Sequence, residues 1–127
     1  MTGLPLVLTG AFPESATAIL NLPSLPANTA YVDLTLTAYD ADYLDEGHLV
    51  VNGQNSVTLF DTQALPQHDL VSVTLNPIRT PASLYHVGSN TLTFWHDRSS
   101  GYRIDTINVS LISGTGIVSI FPAIASP

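Results

Sequence analysis

From Val32 to Ala38 apolar and polar residues alternate: Val32, Leu34, Leu36 and Ala38 share one parity, Asp33, Thr35 and Thr37 the other. A period of two turns one set of side chains toward a core and the other toward water, which predicts a half-covered strand over 31–39. The same pattern recurs downstream. Leu49 and Val51 predict a strand over 48–52, ending in Asn52-Gly53, a pair that favours a tight hairpin turn. SVTLF (56–60) returns with Val57 and Leu59 inward, and LVSVTLNP (70–77) carries Val71, Val73 and Leu75 on one face until Asn76-Pro77 stops it. TLTFWH (91–96) sets Leu92, Phe94 and His96 against Thr91, Thr93 and Trp95. In YRIDTINVSLIS (102–113) the apolar parity shifts between Ile104 and the set Ile107, Val109 and Leu111. A bulge near Asp105-Thr106 accounts for the shift.

The other segments are shorter or less regular. LPLVLT (4–9) reads as an edge strand or a lead-in because of Pro5. ATAILNL (16–22) is a further short strand, while LPSLPAN (22–28) and DTQALPQHD (61–69) are loops. One helical turn follows Pro81, with Gly88 as its terminator. The tail GIVSIFPAIASP (116–127) is apolar on both parities, and is expected to be buried on both sides or docked outside this chain. No stretch has a 3.6-residue period. Seven to nine short strands with regularly spaced turns predict an all-β chain, an antiparallel sandwich or barrel, with residues 1–127 forming one domain.

Composition narrows the chemistry. Charged residues are only 10% of the chain against a typical ~25%, so Ser, Thr, Asn and Gln must build much of the surface. With three Arg, no Lys and a net charge of −7, the chain has little to offer phosphates, so nucleic acid and anionic membranes are not expected partners. Absence of Cys excludes disulfides and thiol chemistry. The first ten residues lack the basic start of a signal peptide and are too short to span a membrane. The Lys-free, hydroxyl-rich surface and the acidic cluster lead us to expect an extracellular protein.

Three segments together resemble a known pattern: VVNG (50–53), VGSNTLTF (87–94) and GYRIDTINVSL (101–111). They are similar to the galactose-binding-like β-jelly-roll found in many carbohydrate-binding modules attached to glycoside hydrolases. The resemblance covers roughly residues 31–112. It implies a jelly-roll sandwich and a non-catalytic, secreted module that binds a polysaccharide or oligosaccharide beside a polysaccharide-degrading enzyme. The acidic segment YDADYLDEG (39–47) is also similar to loops in calcium-containing members.

That segment holds Asp40, Asp42, Asp45 and Glu46 within seven residues. Ca²⁺ takes six to eight oxygen ligands, and crowded carboxylates repel one another without a cation. Leu44 stands where an EF-hand loop needs an oxygen. A Ca²⁺ site and a solvated acidic loop are the two readings. Trp95, the one tryptophan, lies on a polar strand face where its ring would form a platform for a sugar. The alternative is a ring covered by a loop or by the tail. Tyr102, Tyr39 and Tyr43 are secondary ligand-binding candidates.

His96-Asp97-Arg98 is no catalytic dyad by sequence adjacency. The nucleophile-elbow, zinc-protease and phosphate-loop motifs are missing, and no enzyme is expected. Asn108-Val109-Ser110 matches a glycosylation acceptor but falls mid-strand, where it would go unused. A rival reading from another class is a self-assembling structural subunit, of filament, surface-layer or capsid type. Its associating segments would be residues 117–124 or Leu4–Leu8, adding to a neighbour's sheet edge.

Overall fold

A computed structural model describes residues 5–10, 12–40, 47–59, 71–97, 101–114, 116–122 and 124–125. The strands are β1 (Leu6–Leu8), β2 (Glu14–Leu22), β3 (Thr29–Tyr39), β4 (Gly47–Val51), β5 (Gln54–Thr58), β6 (Ser72–Thr74), β7 (Ile78–Pro81), β8 (Gly88–His96), β9 (Tyr102–Ser113), β10 (Gly116–Pro122) and β11 (Ile124–Ala125). A single 3₁₀ turn, Ala82–Leu84, follows Pro81 as predicted, and it is the only helical element among the described residues.

The strands form two antiparallel sheets packed into a sandwich. In the first, β9 and β3 are central and pair from Thr29↔Ser113 to Tyr39↔Arg103. Both β1 and β10 pair with β9 on its other side, one after the other, while β6 and β7 likewise divide the outer side of β3. Six segments therefore make a sheet only four strands wide. The second sheet runs β11-β2-β8-β4-β5. The seven to nine strands expected appear as eleven described segments, of which β7 and β11 are too short for an alternation to show.

The alternating residues meet between the sheets. Leu34, Leu36, Leu49, Val51, Leu92, Phe94, Ile107 and Val109 are all buried, as their parity predicts. Val73 is only partly buried and Val71 is 44% exposed, because β6 covers only the end of β3, Thr37 to Tyr39. The bulge expected near Asp105-Thr106 is present: Thr37 pairs with Thr106 and Ala38 with Ile104, so Asp105 is the unpaired extra residue. The tail also finds its place within the chain, β10 along β9 and β11 along β2 at Ala18 and Ile19.

The far end of the second sheet is closed by two asparagines. Asn52 and Gly53 both have positive φ (50° and 71°), the conformation of the tight turn that links β4 to β5. Asn52 Nδ2 donates to Leu84 O and to Asn90 Oδ1, and its Oδ1 accepts from Thr91 N. Fully buried Asn90 donates to carbonyls of Leu20, His86 and Gly88, and accepts from His86 N. The Asn of VVNG and the Asn of VGSNTLTF are thus one hydrogen-bonded unit that ties the two motifs into the scaffold.

Candidate functional site

The opposite end of the sandwich gathers the polar chemistry. There β3 stops at Tyr39, just before Asp40, β4 begins at Gly47, β8 ends at His96, just before Asp97, and β9 begins at Tyr102. The register of the second sheet places Ser15 beside Trp95 and Trp95 beside His48, with Thr58 next in the row. One position along, Glu14, His96 and Gly47 form the adjoining row, and the Glu14 and His96 side chains turn to the inner face. Two His–carboxylate pairs therefore stand back to back across β8.

On the outer face, the His48 ring lies parallel to the Trp95 indole, 4° between planes and 5.9 Å between centroids. His48 Nδ1 lies 2.5 Å from Asp97 Oδ2. A carboxylate only accepts, so this contact places the imidazole proton on Nδ1. Both residues are about one-third exposed on their side chains, 30% and 32%. The indole is half-buried, and a hydroxyl pair, Thr17 Oγ1 and Thr93 Oγ1 at 3.3 Å, lies further along the same face.

On the inner face, His96 is 1% exposed and its Nδ1 lies 3.1 Å from Glu14 Oε1, which also accepts from Gly10 N at 2.7 Å. Its Nε2 is buried, with no hydrogen-bond partner among the described residues. His96 thus pairs with Glu14, while its sequence neighbour Asp97 pairs with His48. The sequence adjacency His96-Asp97 hides two separate partnerships, because successive strand residues face opposite ways.

Of the predicted ligand-binding residues, Tyr102 needs correction: its ring is fully buried and cannot offer a surface platform. Its hydroxyl donates to Trp95 O at 2.6 Å. It stands on the inward parity of β9 with Ile104, before the bulge, which the sequence reading did not apply to a residue beside a glycine. Tyr39 is half-buried with the Arg103 guanidinium 4.5 Å from its ring centroid. Arg103 in turn holds Asp105, whose carboxyl sits below its usual range mainly because of that hydrogen bond.

Asp40 is 8% exposed, with φ of 64° and its N–H bonded to Val71 O. That left-handed conformation ends β3. Asp42, Tyr43, Asp45 and Glu46 lie outside the described residues. Among the described residues no group of three His, Asp or Glu side chains is placed to hold a metal ion. The sequence reading missed His48 and Glu14 as site members: a histidine opening a strand carries no local signal of its cross-strand partner. No family model, curated protein or solved structure matches this chain.

Proposed function

We propose that the protein is a non-catalytic binding module for a neutral carbohydrate, with Trp95 as the platform. The observation that carries this reading is the pair of parallel rings, Trp95 and His48, on an outward sheet face among hydroxyl residues. An apolar ring face bordered by hydrogen-bonding groups suits a pyranose, which has C–H groups on its faces and hydroxyls around its rim. Net charge of −7 disfavours uronic-acid polymers and leaves neutral glycans. Within this reading the module serves an extracellular polysaccharide-degrading enzyme, and the acidic segment 40–46 takes up Ca²⁺.

Affinity electrophoresis or intrinsic fluorescence against soluble neutral polysaccharides tests the platform. Trp95→Ala is expected to abolish retardation while the melting temperature holds within a few degrees. Retention of binding by Trp95→Ala would remove the site. The calcium part is separable: melting curves in Ca²⁺, in Mg²⁺ and in chelator should differ for the native chain and converge for Asp42→Asn. At free Ca²⁺ a hundredfold above its Kd the added stability is about 2.7 kcal/mol. Coincident native curves would reduce the segment to a solvated loop.

A further inference from the structure

The geometry points to His48 as the hydroxyl-recognising residue of the Trp95 platform, with Asp97 as the positioning residue that makes it a hydrogen-bond acceptor. The inference rests on the carbohydrate reading above and names the atom that reads the ligand.

Asp97 Oδ2 takes the proton-bearing Nδ1 of His48 at 2.5 Å. In the neutral ring that fixes the tautomer and leaves Nε2 with a lone pair. Among the described residues Nε2 has no hydrogen-bond partner, and neither does the indole N–H of Trp95. One ring thus presents an acceptor and its parallel neighbour a donor. A vicinal pair of sugar hydroxyls, one donating and one accepting, matches that pair. Anions do not, because a lone-pair nitrogen repels them and Asp97 stands behind it.

The strand order also leaves a place for the sugar. β8 lies between β2 and β4, so with His48 stacked on one face of the indole, the other face looks over Ser15. Ser15 is small and exposed, and β11 covers β2 only at Ala18 and Ile19. The ligand class is therefore a neutral pyranose seated beside Trp95 above Ser15, with a hydroxyl donated toward His48 Nε2.

Two measurements test this on the intact chain. Histidine ¹⁵N NMR should show Nδ1 of His48 protonated and Nε2 not, with Asp97→Ala shifting the population toward the other tautomer. Titrations of Trp95 fluorescence would use cellohexaose, xylohexaose and β-1,4-galactohexaose, with trigalacturonate as the anionic control. For whichever neutral glycan binds, His48→Phe keeps the stacked ring but lacks the acceptor, and should weaken binding about tenfold, the worth of one hydrogen bond. Asp97→Ala should weaken it by an intermediate factor, with both variants melting as the native chain does. If no neutral glycan binds the native chain, the carbohydrate reading falls and this inference with it. If Trp95→Ala abolishes binding while His48→Phe binds as well as native, the platform stands and the inference is overturned. A native His48 protonated on Nε2 overturns it without any glycan.

Discussion

Gly47 is the residue on which the site end depends most closely. A Cβ there would lie 2.5 Å from the Tyr102 hydroxyl and 2.7 Å from Trp95 O. Gly47→Ala therefore forces Tyr102 off its bond to Trp95 O, and overpacking of this kind costs about 1–3 kcal/mol. Tyr102→Phe alone should cost about 1 kcal/mol, the net value of its hydrogen bond. The double variant should be rescued only in part, because the Trp95 carbonyl still opposes the new methyl. Urea titrations of the three chains measure this, and full rescue would show the clash to be with the hydroxyl alone. Asn90→Ala should be more damaging still. It strips partners from buried groups on either side of the β8 start, each worth about 1–3 kcal/mol when left unsatisfied.

At the scale of the element, the segment joining β7 to β8 carries a test in alkali. Burial pushes the Tyr85 hydroxyl up to about 12, against a smaller downward pull from its hydrogen bond with Thr80. A raised folded value means the unfolded chain gives up this proton first. The contribution is then fully present below pH 10, and is lost as pH rises from 10 toward 12. Melting temperature should fall over that window, and Tyr85→Phe should flatten the fall while lowering stability at neutral pH. An unchanged slope in Tyr85→Phe would assign the alkaline loss elsewhere. Within β9, the parity shift between Ile104 and Ile107 was legible in the sequence because a bulge moves every later side chain to the other face. The inward turn of Tyr102 follows from the same rule, applied on the near side of the bulge.

For the whole molecule, β10 and β11 are the last of the described strands and each pairs with a different sheet. Deleting residues 116–127 should expose an edge of β9 and of β2, lower the melting temperature and promote association through the bared backbone groups. Light scattering of the truncated and full chains checks this. A truncated chain that stays monomeric and melts as before would show the tail to be dispensable.

The sequence by itself determined the sandwich, because period-two alternation dictates which side chain faces the core whatever the partner strand is. It also determined the Asn52-Gly53 turn, the bulge and the inward Leu92, Phe94 and His96, all of them set by neighbours along the chain. Tertiary structure alone decided the partnerships. Asp97 joins His48, forty-nine residues away, and Glu14 joins His96 across eighty-two. Such contacts follow from strand order, β2 beside β8 beside β4, and strand order is set by how two sheets close on one core. No spacing within a single strand encodes it, which is why a lone tryptophan was visible in the sequence and the imidazole stacked on it was not.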